Sequence, residues 1–468
     1  MPGWDTSRSL VLEEFAQAKQ EGCAAEAVDA LRPAFEKAGD DAQQLNAIYD
    51  QLTGIAISKA FPFNEPSDLE GIRALRPPDL RRACVSLNEE QLFDRMYGAW
   101  LGRCVGCALG KPVEGFMSAH GGISSRDRIK AYLVALGADE YPLQDFFPEH
   151  SPAEARTGRV GCKASTREHL AFMESDDDIR YTVVNQIILS EKSADFTSWD
   201  VARAWMRLLP YQSVCTAETQ AYRNLVNRYE FHCGTPAAEP DWQWVRTHQN
   251  PYREWIGAQI RADSWGYAAP GNPRQAAEFA WRDARISHAK NGIYGEMFVA
   301  AMIAAAFTCN DPREIIAAGL GEIPSTSRLA MAVQQVMAIC DRYDRNPAAF
   351  ETVLNEIDAL LGHYHPVHTI NNAALVVAGL LLGGHNFGRA ITIAVMGGWD
   401  ADCNGATVGS VVGAMLGAAQ LPEHWTARLH DTLRCEIMDY HPIAISECAR
   451  RSVEIARKIA RAAGNGAC

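Results

Sequence analysis

The sequence predicts an all-α fold, and three of its features support this prediction. Glycine recurs at every fourth position in two apolar stretches, which gives each predicted helix one face without side chains. Elsewhere, most apolar residues are spaced three or four positions apart, as they are on one face of a helix. Alternating β-branched runs and tight hairpin dipeptides, which mark strands, are nearly absent.

The first part of the chain, residues 1–90, is predicted to form amphipathic helices. Its apolar residues at helical spacing include Leu10, Val11, Phe15 and Ala18. The run Arg76-Pro77-Pro78 marks a boundary, because proline ends helices. The segment contains no cluster of catalytic residue types. We therefore interpret it as a helical appendage for packing or for homodimer formation, ahead of a catalytic domain over residues 91–468.

The two glycine-rich stretches are expected to be neighbouring helices at the centre of that domain. The first has glycine at positions 98, 102, 106 and 110, and the second at positions 405, 409, 413 and 417. Helices with such faces can pack backbone against backbone. Glu114 follows the first helix in a predicted loop, Lys111-Pro112-Val113-Glu114-Gly115. There it can cap the helix, pair with a lysine or reach a metal.

Two acidic clusters indicate a metal site. Asp400 and Asp402 lie one residue apart on the glycine-rich turn that begins Met396-Gly397-Gly398-Trp399, immediately before a helix. Carboxylates at this spacing offer oxygen ligands that converge on a hard cation. The run Ser175-Asp176-Asp177-Asp178 also precedes a helix, predicted over 179–190, and carries more charge than an N-cap needs. The alternative for the Asp400 cluster is an aspartate-capped, glycine-packed helix without a metal, whereas the acids of the second cluster repel one another unless a cation lies nearby.

Two further polar loops lie in apolar surroundings. Residues 287–292 separate two helices predicted within 274–307, and residues 363–372 precede a helix predicted over 373–382. Each loop suits either a substrate contact or a structural histidine.

The histidines at positions 363, 365 and 368 lack the H-E-x-x-H spacing of a zinc site. Likewise, Cys104-Val105-Gly106-Cys107 has no second Cys/His pair at zinc spacing.

Composition excludes several classes of protein. The net charge is −13, from 44 Lys+Arg against 57 Asp+Glu, and no basic run is present, which argues against a nucleic-acid partner. The longest apolar runs are too short, or too rich in Gly and Ala, to span a membrane. The 13 cysteines are scattered singly along the chain, so we expect a reducing, cytoplasmic location.

These blocks together resemble the ADP-ribosylglycohydrolase family, which includes the dinitrogenase-reductase-activating glycohydrolases. The resemblance covers roughly residues 92–420, and any one block alone is a weak signal. The four blocks, in the family's order, are the helix over 98–114, the triplet Ser175-Asp176-Asp177, the segments 257–261 and 283–288, and the signature Gly397-Gly398-Trp399-Asp400-Ala401-Asp402.

The resemblance implies an orthogonal all-helical bundle that holds two Mg²⁺ ions and hydrolyses a glycosidic bond at C1 of ribose. The metal ligands that it implies are Ser175, Asp176, Asp177, Asp400, Asp402 and, at a position where the family has threonine, Cys403. Glu114 and Asp177 are the implied acid/base catalysts. The implied substrate-binding residues are Gly257, Arg261, His288, Asn371 and Asn372.

Four residues depart from the family pattern. Cys107 stands where many members have Asp, Asp178 and Cys403 each replace a Thr, and Trp399 interrupts the Gly-Gly-Asp spacing. Magnesium prefers oxygen to sulfur. From these departures we expect either a second metal that is held weakly, with water or Asn404 as a ligand, or a site that favours a softer ion such as Mn²⁺.

The leading hypothesis is a metal-dependent glycoside hydrolase that cleaves an N-ribosyl bond with a metal-activated water. Its substrate partner is either an ADP-ribosylated protein or a ribosylated small molecule. Lys111, Arg261, His288 and Lys290 are the expected sources of positive charge for ADP-ribose. A non-catalytic scaffold that retains the fold, and a two-metal phosphohydrolase, are the alternatives.

Overall fold

The structure, a computed structural model, describes residues 6–78, 87–118, 121–229 and 238–462. These residues are mostly helical. The α-helices are α1 Ser7–Gln20, α2 Ala25–Asp29, α3 Arg32–Ala38, α4 Ala42–Thr53, α5 Leu69–Ala74, α6 Glu89–Glu114, α7 Ser125–Val134, α8 Glu154–Thr157, α9 Asp177–Lys192, α10 Ser198–Leu208, α11 Thr216–Arg228, α12 Trp242–Thr247, α13 Asp263–Tyr267, α14 Pro273–Ala284, α15 Asn291–Ala306, α16 Pro312–Leu320, α17 Arg328–Arg342, α18 Phe350–Leu361, α19 Thr369–Gly383, α20 Phe387–Met396, α21 Ala401–Leu416, α22 Glu423–Thr426 and α23 Ile445–Ala462.

The prediction of an all-α fold is confirmed. Within the described ranges the only strands are β1 Thr432–Leu433 and β2 Ile443–Ala444, which pair antiparallel. Every residue of α15, α19 and α21 is buried, so these helices form the middle of the core. Helices α14 and α15 correspond to the two helices predicted within 274–307.

Helices α6 and α21 pack backbone against backbone, as the glycine spacing predicts. A Cβ atom placed on Gly98, Gly102 or Gly106 would overlap the backbone of Gly413, Gly409 or Gly405, respectively. The pairing runs in opposite directions along the two helices, so the C-terminal end of α6 lies beside the N-terminal end of α21. This geometry brings the Glu114 end of one helix to the Asp402 end of the other.

Three predicted helix boundaries were wrong, and all three involve site residues. Helix α9 begins at Asp177 and not at residue 179, so Asp177 and Asp178 lie in its first turn. Glu114 is the last residue of α6 and does not lie in a loop, because the helix continues through Pro112 to that position. Helix α19 begins at Thr369, so Asn371 and Asn372 lie in its first turn and not before it. His368 supplies the N-cap, since its side chain accepts a hydrogen bond from Ile370 N.

The N-terminal segment packs on the rest of the chain through buried charges. Its helices have a small apolar core of their own, which includes Phe15 from α1. Arg253 Nη1 lies 2.7 Å from Glu14 Oε2 of α1, and both side chains are almost fully buried. Arg328 Nη2 likewise lies 2.7 Å from a carboxylate oxygen of Glu65 and 2.7 Å from one of Glu254. Packing against the body is therefore one role of this segment, whereas the division at residue 90 stays a prediction.

Among the described residues, every helix is either too short or too polar to cross a lipid bilayer.

We expect Gly102→Ala to destabilise the protein by about 3 kcal/mol, at the upper end of overpacking costs, because the new methyl group meets backbone that cannot rotate away. Its Cβ would lie 2.7 Å from the carbonyl carbon of Gly409. The matched control is Gly115→Ala, directly after the same helix, where the added Cβ would have no atom within 4 Å apart from those of residue 115 and its two chain neighbours. Urea unfolding checks both, and equal stabilities of the two variants would contradict the packing argument.

We expect Arg253→Met to lower the free energy of unfolding by about 3–5 kcal/mol, because the carboxylate of Glu14 stays buried without its partner. The control is Arg313→Met, which breaks an exposed pair with Asp341 and should cost no more than about 1 kcal/mol. Denaturant titration of the wild type and both variants measures the two losses in unfolding free energy, which can be compared when the m-values agree. A loss at Arg253 no larger than that at Arg313 would mean that the buried pair does not hold the segment.

Candidate metal and catalytic site

Three helix ends meet at one point of the core: the C-terminal end of α6 and the N-terminal ends of α9 and α21. Glu114 ends α6, Asp176 and Asp177 begin α9, and Asp400 and Asp402 begin α21. The structure therefore brings together both acidic clusters and the glutamate that the sequence analysis singled out. Helix N-termini carry partial positive charge, which favours carboxylates at two of the three ends.

The α9 end is fixed by contacts of Asp176 and Ser175. Asp176 Oδ1 accepts a hydrogen bond from Asp178 N at 3.0 Å, as an N-cap does. Lys111 Nζ lies 2.9 Å from Asp176 Oδ2 and donates to Ser175 O at 2.7 Å. Burial acts to raise the pKa of Asp176, but Lys111 and Arg180 outweigh it and lower the pKa. Asp176 is thus held as an anion.

The hydroxyl of Ser175 also has protein partners. It accepts a hydrogen bond from Arg180 Nη1 at 3.1 Å and one from Glu436 N at 3.3 Å. The side chain is only half-buried. The assignment of Ser175 as a metal ligand stays a prediction.

The α21 end is held by its backbone and by Asn372. Gly398 and Trp399 both have positive φ, +76° and +54°, and Trp399 N donates to Ser125 Oγ at 3.0 Å. Asn372 Oδ1 accepts from Asp400 N at 3.2 Å and from Asn404 Nδ2 at 2.8 Å. Asn372 therefore positions the turn that carries the two aspartates.

Several buried carboxylate oxygens at this point find no hydrogen-bond donor among the described residues. They are Asp400 Oδ1, Asp402 Oδ1 and Asp178 Oδ2. An unsatisfied buried carboxylate oxygen is costly unless a cation compensates for it. One oxygen each from Asp176, Asp178 and Asp402 lies within 4.8 Å of the others, close enough to share a cation. The residues present therefore fit a divalent metal ion.

Mutual repulsion and burial raise the pKa values of the central carboxyl groups. Burial, followed by the charge of Asp176, raises the pKa of Asp402 to about 7. The same two causes raise the pKa of Asp177 to about 6. For Glu114 the largest cause is Asp402, followed by burial, and the pKa lies well above its ordinary value. Burial and Asp402 likewise raise the pKa of Asp400.

Asp178 and Arg103 form a buried pair that the sequence analysis did not assign to the site. Arg103 Nη2 lies 3.0 Å from Asp178 Oδ1, and both side chains are fully buried. The same guanidinium lies 2.7 Å from a carboxylate oxygen of Asp263. Asp178 thus pairs with Arg103 through Oδ1, its Oδ2 has no donor among the described residues, and the residue is a member of the carboxylate cluster. Its place in the triple acid was visible in sequence, whereas its arginine partner, 75 positions earlier, was not.

Two cysteine thiols complete the inner surface of the site. Cys107 Sγ belongs with the carboxylate oxygens of Asp176, Asp178 and Asp402, all within 4.8 Å of one another. Cys403 Sγ belongs to a second such group, with Asp400 and Asp402. Burial and the nearby carboxylates raise the pKa of both thiols.

Arg261 and His288 are fully buried in a cluster of carboxylates beside the acidic site. Arg261 Nε lies 3.0 Å from Asp283 Oδ2, and Nη1 forms an ion pair with Glu218 Oε1. His288 Nδ1 lies 2.8 Å from Ser287 Oγ, and burial, followed by Arg261, lowers its pKa well below the ordinary value. Both side chains thus have partners within the protein.

Glu218 connects this cluster to the acidic site, and the sequence analysis missed it. Burial raises the pKa of Glu218 to about 7 despite Arg261, and Asp177 is a further cause. Gly257 is half-buried, and a Cβ there would lie 2.6 Å from Glu218 Oε2. Glu218 lies in the first turn of α11, where a glutamate is ordinarily exposed, so its sequence position indicates neither burial nor a partner.

The two remaining predicted positive charges are also paired. Lys111 binds Asp176, and Lys290 Nζ lies 3.1 Å from Glu21 Oε2 of the segment after α1. Asn371 is buried and its Nδ2 donates to His365 O at 3.1 Å, while its Oδ1 has no hydrogen-bond donor among the described residues.

A search of curated proteins gave no match. Among solved structures, an ADP-ribosylglycohydrolase-related protein complex has 17% sequence identity and a TM-score of 0.46, over 79% of this chain and 99% of that chain. The family model for ADP-ribosylglycohydrolase matches residues 88–461, which is most of the chain. The resemblance inferred from the sequence is thereby confirmed, and the chain belongs to the ADP-ribosylglycohydrolase family.

Proposed function

We propose that this protein is a divalent-metal-dependent glycoside hydrolase that cleaves the N-ribosyl bond at C1 of a ribosylated substrate. Membership of the family supports hydrolysis of a glycosidic bond. The observation that carries the metal dependence is the set of buried carboxylate oxygens without donors at the junction of α6, α9 and α21. A scaffold without activity has no physical reason to keep such an arrangement, because it costs folding free energy.

The proposed metal-holding residues are Asp176, Asp177, Asp400 and Asp402, with Ser175 and Cys403 at the edge of the set. A pair of divalent cations, when bound, supplies Lewis acidity towards the ribose hydroxyls and lowers the pKa of water. Magnesium is the cofactor that the family implies, and manganese is the alternative. The buried side chains of Lys111 and Arg103 hold Asp176 and Asp178 in place.

Glu114 and Asp177 are the proposed acid and base. Both are half-buried, so each can reach a substrate that the fully buried carboxylates cannot. The charge of Asp402, followed by burial, raises the pKa of Glu114 well above its ordinary value, which favours a protonated Glu114. Burial and Asp176 raise the pKa of Asp177 to about 6. Glu114 then donates a proton to the leaving group, and Asp177 accepts one from the attacking water.

A small ribosylated molecule is the substrate that the charge distribution favours over an ADP-ribosylated protein. Recognition of a diphosphate needs unpaired positive charge. Lys111, Arg261 and Lys290 are each paired with a carboxylate of the chain, and the low pKa of His288 leaves it neutral.

Because Arg261 is paired and His288 is neutral, we propose that the predicted substrate-binding side chains position other groups and do not contact the substrate themselves. Arg261 and His288 are proposed to hold the segment that presents Gly257 to the substrate. Asn371 and Asn372 are proposed to fix the first turn of α19 against the turn that carries Asp400.

We expect Glu114→Gln to lower kcat by about 10²–10⁴-fold, because the amide cannot transfer a proton. Its control is Glu90→Gln, an exposed glutamate at the start of the same helix, which should leave kcat unchanged. The assay measures reducing ribose released from an N-riboside and from ADP-ribosylarginine in the presence of Mg²⁺ or Mn²⁺. Release of inorganic phosphate in place of ribose would instead support a phosphohydrolase, and full activity of Glu114→Gln would exclude this residue as the acid.

We expect Asp402→Asn to raise the melting temperature of chelator-treated protein at a pH above about 7, because the variant removes one of several repelling charges. The raised pKa of Asp402 stabilises the fold at low pH, and that contribution is lost as the pH rises through about 7. The variant should also lose the stabilisation that metal gives the wild type, about 2.7 kcal/mol at 100 times Kd.

The control for this experiment is Asp139→Asn, which alters an exposed carboxylate outside the site. It should behave as the wild type does with and without metal. If no divalent cation changes the melting temperature of the wild-type protein, the result would contradict the proposed metal dependence.

A further inference from the structure

The donor atoms at the junction of α6, α9 and α21 are not all oxygen. One group combines Cys107 Sγ with oxygens of Asp176, Asp178 and Asp402, and all four ligand atoms lie within 4.8 Å of one another. The other combines Cys403 Sγ with oxygens of Asp400 and Asp402. Each group holds one thiol, and Asp402 belongs to both.

Both thiols face the carboxylates at the junction of α6, α9 and α21. Cys107 is fully buried and Cys403 is 5% exposed. Asp178, Asp400 and Asp402, which belong to these two groups, each have one buried oxygen without a hydrogen-bond donor among the described residues, and this is a second observation in favour of a cation. A cation that occupies either group therefore has sulfur among its nearest neighbours.

Both groups are poor sites for magnesium because each includes a thiol. Mg²⁺ takes oxygen ligands in octahedral geometry, usually one or two carboxylates and several waters, whereas thiolate suits softer ions. In the first group, Asp176 already binds Lys111 and Asp178 already binds Arg103, each through one oxygen. In the second group the thiol of Cys403 is one of only three ligand atoms. The four buried, mixed ligands of the first group instead match the ligand number and ligand types of tetrahedral sites for ions such as Zn²⁺.

We propose that Cys107 and Cys403 are metal ligands, and that the site prefers a divalent transition metal that accepts sulfur, such as Zn²⁺, Co²⁺ or Fe²⁺, over Mg²⁺. This inference concerns the same centre as the proposed function and depends on that centre binding a metal. It does not depend on the reaction that the centre performs.

The first test is cobalt titration of the full-length, chelator-treated protein without substrate. Thiolate coordination to Co²⁺ gives a charge-transfer absorption in the near ultraviolet, which oxygen ligands do not give. We expect this band in the wild type and expect it to disappear in the double variant Cys107→Ser/Cys403→Ser. The variant's preference for Co²⁺ over Mg²⁺, measured by competition, should fall by about tenfold or more. Cys340→Ser, a buried thiol of α17 outside both groups, is the matched control and should keep the band.

The second test needs no substitution and therefore stands if the double variant fails to fold. X-ray absorption of the zinc-loaded wild type should show a sulfur neighbour at about 2.3 Å, whereas nitrogen and oxygen ligands lie at about 2.0–2.2 Å. Coordination by oxygen alone, or Mg²⁺ that displaces Co²⁺ at equal concentration, would overturn the proposal. Sulfur-bound metal without ribose release would support the proposal and count against the proposed function. Coordination by oxygen alone, together with ribose release, would overturn this proposal and support the proposed function.

Discussion

The contact between the glycine faces of α6 and α21 is the constraint on which the site depends. Because the two backbones touch from Gly98 opposite Gly413 to Gly110 opposite Ala401, neither helix can slide or rotate along the other. Close-packed helices with a fixed register act as one rigid body. The end of α6 thereby carries Cys107 and Glu114 to the start of α21, where Asp400, Asp402 and Cys403 begin.

The same rigidity lets the fold hold charges that repel one another. Burial and mutual repulsion raise the pKa values of Asp400, Asp402 and Glu114, so these groups, when ionised, oppose folding in the absence of a cation. A loop would relax away from such strain, whereas residues at the ends of packed helices cannot. The apolar core of α15, α19 and α21 supplies the free energy that offsets this cost.

The N-terminal segment reaches the site through a short series of contacts. Gln17 Nε2 of α1 donates to Glu254 Oε2 at 3.0 Å, and the backbone carbonyl of Glu254 accepts from Thr369 N at 3.1 Å. Thr369 begins α19, whose first turn carries Asn372, and Asn372 accepts from Asp400 N. A segment that lies outside the matched family region thus supports the turn that holds one of the central carboxylates.

Much of this arrangement was predictable because it follows from local patterns in the sequence. Glycine at four-residue spacing predicted the central helix pair, and acids placed just before helices predicted Asp176, Asp177, Asp400 and Asp402 at helix ends. Those patterns depend on the geometry of one helix, which neighbours in sequence define. Even so, the boundaries at Glu114 and Asn371 were misplaced, because packing extended both helices past residues that usually end or precede them.

The sequence by itself determined the fold class, the central helix pair and the acid-rich helix ends, since each follows from spacing along the chain. Only the tertiary structure decided which groups face one another. It placed Cys107 and Asp178 among the proposed ligands, and it buried Arg261 beside Glu218 and Asp283. Partners of this kind lie tens to hundreds of positions apart, and the burial that sets their charge state is a property of the packed core, which no local pattern contains.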